Sequence, residues 1–61
     1  MRVVIALGAN LGEPRAQLEE AIEALRKVIK IEAISSFYET KPFKVHEEQP
    51  NYINAVLITS N

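Results

Sequence analysis

From Pro14 onward, Leu18, Ala21, Ile22, Leu25, Val28 and Ile29 recur at helical spacing and line up as one apolar stripe. Glu19, Glu20, Glu23, Arg26 and Lys27 take the opposite face, the pattern of an amphipathic helix with one side in need of a partner. Pro14 suits the first helical position, where its missing N–H costs nothing. Glu13 lies toward the positive end of the helix dipole, and Arg26, Lys27 and Lys30 toward the negative end. Glu23 and Lys27 are spaced for an i,i+4 ion pair. A one-sided helix needs an apolar surface to cover, and the rest of the chain must supply it.

Three stretches have the β-branched and aromatic content of strands: residues 3–7, 31–38 and 52–59. Gly8-Ala9-Asn10-Leu11-Gly12 reads as the turn between the first strand and the helix. Residues 39–51 carry Pro42, Pro50 and much of the remaining charge, and read as a loop. The order strand, helix, strand, long loop, strand predicts an α+β fold. Its first two strands lie parallel through a right-handed crossover, and the third pairs antiparallel by a hairpin. That is the strand-helix-strand-strand half of a ferredoxin-like sheet. One helix covers one face of three strands and leaves the other bare. The last strand runs straight to Asn61, so residues 1–61 read as a single domain that looks cut short.

Composition narrows the function. With 61 residues the chain makes one small domain, and such domains have thin stability margins. There is no cysteine, so neither a disulfide nor a thiolate metal site is possible, which fits a reducing compartment. A formal net charge of −1 argues against nucleic acid, which would call for a basic stripe. No stretch approaches the roughly 20 apolar residues of a membrane span, and the start lacks the long apolar region of a signal peptide. The expected location is the cytoplasm, away from membranes.

Several groups could carry chemistry. The glycine turn stands between a strand and a helix N-terminus, where anions are often held, but it lacks the Lys and hydroxyl of a P-loop. Its plainer reading is a simple turn. Thr40-Lys41-Pro42-Phe43 opens the long loop, and Pro42 pushes Lys41 toward extended geometry. Such backbone could read the edge of a flat heterocycle with Phe43 as cover; the plainer reading is a loop anchored by one buried aromatic. Tyr52 and Asn54, two apart on a strand, share a face. A ring stacked on Tyr52 could be hydrogen-bonded at its edge by Asn54. Val56 and Ile58 continue that face, so the pair would stand at the mouth of an apolar surface, as a ligand site requires. His46, Glu47 and Glu48 are metal-competent but adjacent, and read as a solvated cluster. Arg15 reads as part of a solvated face. His46 is the only histidine, and no nucleophile–histidine–acid set exists.

Taken together, Ala6-Leu7-Gly8-Ala9-Asn10-Leu11-Gly12, Ser35-Ser36-Phe37-Tyr38-Glu39-Thr40 and Gln49-Pro50-Asn51-Tyr52-Ile53-Asn54-Ala55 resemble the N-terminal part of the 6-hydroxymethyl-7,8-dihydropterin pyrophosphokinases of folate biosynthesis. The three motifs stand in the right order and cover nearly all of the chain. The resemblance implies transfer of pyrophosphate from ATP to the pterin hydroxymethyl oxygen with Mg2+, on a ferredoxin-like α+β fold. It implies a pterin site built from Gly8, the Thr40 and Pro42 backbone, Phe43 as apolar cover, Tyr52 as stacking partner and Asn54 at the ring edge. The long loop would close over substrate and exclude water. Family members hold the metals on paired aspartates further along, and this chain has no Asp. The expectation is therefore part of a pterin site, with neither catalytic nor metal-binding residues and no turnover by these residues alone. Its partners would be pterin and ATP, with a C-terminal half of the same enzyme or a second copy completing it. The competing expectation is a non-catalytic α/β module that associates through its bare face or open edge.

Overall fold

The computed structural model describes residues 1–43 and 48–60. Along the chain run β1 (Arg2–Ala9), α1 (Pro14–Arg26), β2 (Lys30–Ile34), β3 (Tyr38–Thr40) and β4 (Tyr52–Ser60). The architecture is α+β: among the described residues, one helix and an antiparallel sheet of four strands in the order β1-β4-β2, with β3 also paired to β4. β1 and β2 both run antiparallel to β4, so they are parallel to one another, as the strand-helix-strand order predicts.

Alternation along β4 divides the sheet into two faces. Ala55, Leu57 and Thr59 point toward the helix and are buried with Leu18 and Ile22 of α1. Leu57 is fully enclosed. The buried Thr59 hydroxyl donates to the Val3 carbonyl at 3.4 Å, so the one buried polar side chain among these core residues keeps a partner. The opposite face carries Val4, Tyr52, Asn54, Val56 and Ile58 without a covering layer among the described residues; Val4 is 68% exposed. No helix among the described residues is long and apolar enough to cross a membrane.

Several boundaries differ from the sequence reading. The helix stops at Arg26, and Lys27, Val28 and Ile29 form a turn closed by bonds from their N–H groups to Ala24 and Leu25 carbonyls. Val28, expected in the stripe, is 76% exposed; Ile29 stays half-buried. Glu23 pairs with Arg26 at 3.0 Å, in place of the expected Lys27. The predicted strand at 31–38 is broken after Ile34. Ser35 explains the break: its hydroxyl accepts the Val56 N–H at 2.8 Å and donates to the Ser36 carbonyl at 2.9 Å. A side chain thus replaces a ladder bond where the backbone leaves the edge. Arg15, read as solvated, lies with its guanidinium 5.7 Å from the Phe37 ring centroid, joining the helix start to this bend.

The first turn is also two residues shorter than the sequence predicts. Gly8 and Ala9 belong to β1, paired with Asn54 and Ile53, and Gly12 is the glycine that turns, at φ +73°. Likewise Glu39 and Thr40, expected in the loop, lie in β3 opposite Ile53 and Tyr52. His46 and Glu47, from the acidic cluster, and the interior of the long loop lie outside the described residues.

The core is small, so its centre matters. Leu57→Ala is expected to cost about 3 kcal/mol, whereas Val28→Ala should stay within about 0.5 kcal/mol. Urea denaturation followed by circular dichroism measures both.

Candidate functional site

Four of the residues singled out from the sequence, Gly8, Thr40, Tyr52 and Asn54, come together at the end of the sheet where β1 finishes and β4 begins. Register sets Gly8 opposite Asn54 on one side of β4, and Tyr38 opposite Asn54 on the other. Thr40 stands opposite Tyr52. Residues directly opposite in antiparallel strands share a face, so Gly8, Tyr38, Thr40, Tyr52 and Asn54 all lie on the helix-free side.

Asn54 is the centre of this cluster. Its Nδ2 donates to the Thr40 hydroxyl at 2.9 Å and to the Tyr38 carbonyl at 3.2 Å. Its Oδ1 reaches the other way, over Gly8. A Cβ at position 8 would meet that oxygen at 2.9 Å, closer than real Cβ contacts come. Position 8 is therefore glycine because of what crosses it from the next strand, not because of a turn. Tyr52 stands beside this group and is 37% exposed, which leaves its ring accessible on the open face.

Pro42 and Phe43 follow β3 closely in the chain. Pro42 is half-buried, while Phe43 is 83% exposed, so the aromatic does not anchor the loop by burial. Two residues that the sequence reading gave no role hold the loop base. Asn10 Nδ2 contacts Gln49 Oε1 at 3.3 Å and the Pro50 carbonyl at 3.4 Å. Asn51 Nδ2 contacts Glu39 Oε2 at 3.3 Å. Their signal was present as an Asn next to a turn and an Asn next to a proline, but the pairing is long-range and invisible to local pattern. Gln17 donates to the Leu11 carbonyl at 2.8 Å and fixes the turn from the helix side.

Among the described residues there is no group of three or more His, Cys, Asp or Glu side chains placed to hold a metal. What the described residues offer at this end of the sheet is shape and hydrogen bonding. A carboxamide with fixed partners next to an accessible aromatic, set in an open sheet face, is the form of a recognition site for a flat polar molecule.

Comparison with known proteins narrows this class. The family model for 7,8-dihydro-6-hydroxymethylpterin-pyrophosphokinase matches residues 4–61, and the chain belongs to that family. A 2-amino-4-hydroxy-6-hydroxymethyldihydropteridine pyrophosphokinase of Haemophilus influenzae is 43% identical over 54 residues, covering 85% of this chain and 33% of that protein. The enzyme of the same name from Aquifex aeolicus is 40% identical over 55 residues, covering 90% of this chain and 34% of its own length. The mitochondrial folate synthesis bifunctional protein of Pisum sativum is 41% identical over 56 residues, covering 90% of this chain and 11% of its own. The chain thus spans about a third of the length of the bacterial relatives it matches.

The close approach at Gly8 makes a direct prediction. Gly8→Ala should displace the Asn54 side chain and shift its amide resonances in a 15N-correlation spectrum. In an Asn54→Ala background the same change should cost clearly less stability than in the wild type. Equal costs in both backgrounds would mean that the glycine answers to something else.

Proposed function

We propose that this chain forms the pterin-recognising part of a folate-biosynthesis pyrophosphokinase. In the complete enzyme, pyrophosphate would pass from ATP to the hydroxymethyl oxygen of 6-hydroxymethyl-7,8-dihydropterin. The observation that carries this reading is the Asn54 carboxamide, held beside an accessible Tyr52 on the helix-free face of a chain from a pterin-defined family.

Each residue has a part in this reading. Tyr52 supplies the surface on which the bicyclic ring stacks, and Asn54 supplies hydrogen bonding at its edge. Gly8 keeps the floor open, since any side chain there would collide with Asn54. The Thr40 and Pro42 backbone groups flank the ring, and Phe43 adds apolar cover from the loop. The sheet is taken as half of a ferredoxin-like arrangement, with the remaining part of the family's length completing it. Phosphoryl transfer depends on positioning and on electrostatic stabilisation by metal ions and cationic clamps. Mg2+ and the groups that cradle ATP would come from that remaining part, whether a C-terminal half or a partner chain, so this chain contributes no catalytic residue.

A second reading is supported by the exposure of Val4 and Ile58 on the uncovered face: a non-catalytic module that self-associates through apolar surface. It predicts a stable dimer whose formation is indifferent to pterin.

Titration of 6-hydroxymethylpterin into the folded chain, followed by pterin fluorescence, tests the proposal. Saturable binding should weaken about tenfold or more in Tyr52→Ala, the scale of one lost aromatic stacking contact. Incubation with ATP, Mg2+ and pterin should give no pyrophosphoryl transfer above background. Folded protein without saturable pterin binding, or equal binding by Tyr52→Ala, would overturn the reading.

A further inference from the structure

We infer that the Thr40 hydroxyl is a positioning group that holds the Asn54 carboxamide in the orientation the Tyr38 carbonyl dictates, so that the site presents an acceptor and selects rings with an N–H donor edge. The inference rests on the pterin reading and deepens it, because it assigns the polarity of the contact.

A carboxamide has one acceptor oxygen and two N–H donors on ends of nearly equal size, so a free Asn can offer either chemistry. Here β3 removes the choice. The Tyr38 carbonyl stands 3.2 Å from one end of the amide, and a carbonyl oxygen can only accept. The end facing it must be Nδ2, because turning the amide over would set two acceptors against each other with no proton between them. Thr40 Oγ1, at 2.9 Å, accepts the second N–H. Both donors are then engaged within the protein. What remains is Oδ1, aimed across β4 over Gly8, with no hydrogen bond to any described residue.

The two strands thus divide the work. β3 holds the donor end, and the glycine of β1 leaves room for the acceptor end. A pterin carries adjacent lactam and amino N–H groups on one edge, and these are complementary to a lone carbonyl acceptor. Without the Thr40 hydroxyl one N–H of Asn54 is released, the amide is held only by its bond to the Tyr38 carbonyl, and the acceptor end is aimed at the ligand less firmly. Thr40 is suited to this task by its strand position opposite Tyr52, which sets its side chain on the face of Asn54.

Two variants of near-constant shape separate the hydroxyl from the rest of the side chain. Thr40→Val keeps the β-branch that a strand favours and removes the oxygen, while Thr40→Ser keeps the oxygen. In ligand-free 15N-labelled protein, Thr40→Val should move one Asn54 Nδ2 proton toward the shift and exchange rate of a solvated amide, and Thr40→Ser should restore the wild-type pattern. Affinity for 6-hydroxymethylpterin should fall on the order of tenfold in Thr40→Val and stay within about twofold in Thr40→Ser. The wild type should also prefer this pterin over an analogue methylated at its lactam and amino nitrogens, and that preference should shrink in Thr40→Val.

An unchanged Asn54 amide in Thr40→Val, or wild-type affinity and discrimination in that variant, would overturn the inference. Should Thr40→Val fail to fold, the wild type decides: nuclear Overhauser contacts from the Asn54 Nδ2 protons to Thr40 support the assignment, and their absence overturns it. If the wild type binds no pterin, the functional reading fails, while the ligand-free spectra still judge the role of Thr40.

Discussion

The described strands are all arranged around β4, which is hydrogen-bonded along both edges and must serve two faces with one alternating sequence. Ala55, Leu57 and Thr59 meet the helix and make the core. Tyr52 and Asn54, set one residue out of step, face the open side. The two sets cannot be tuned independently, because a one-residue slip in register would exchange core and site. Registration on both sides of the strand therefore gives the site its precision as well as the fold its stability.

The rest follows from how neighbouring strands accommodate Asn54. β1 does so by having no side chain at Gly8. β3 does so by offering a carbonyl and a hydroxyl at the right positions. For β3 to reach that place the second edge must first break away from β2. Ser35 lets it do so without orphaning the Val56 N–H. A local side-chain bond thus permits the long-range one. Loop-base contacts from Asn10 and Asn51 then bring both ends of the 41–50 connection back to the same corner.

Local periodicity was enough to identify the helix, all three β-rich segments and the open sheet face. It was also enough to join Tyr52 with Asn54, because side chains two apart on a strand share a face. What local pattern could not reach was pairing across strands. Gly8 looked like a turn residue because glycine is common in turns, yet the reason for it sits 46 residues away at Asn54. Thr40 looked like the start of a loop because Pro42 follows, and its strand partner became visible only with the register. Val28 satisfies the helical spacing, but the helix ends at Arg26 and Val28 falls in the turn that follows it, exposed. Family resemblance supplied the ligand class for the same reason: it carries long-range information that spacing does not.

The central claim is that the helix-free face at the Gly8–Asn54 end is where a pterin lies. The most direct measurement is a 15N-correlation titration of the labelled chain with 6-hydroxymethylpterin, mapped residue by residue. The account predicts saturating shifts concentrated at Gly8, Thr40, Tyr52 and the Asn54 side-chain amide, with the helix face around Leu18 and Leu57 unmoved. Shifts centred at the opposite end of the sheet, around Arg2, Lys30 and Glu32, would contradict it.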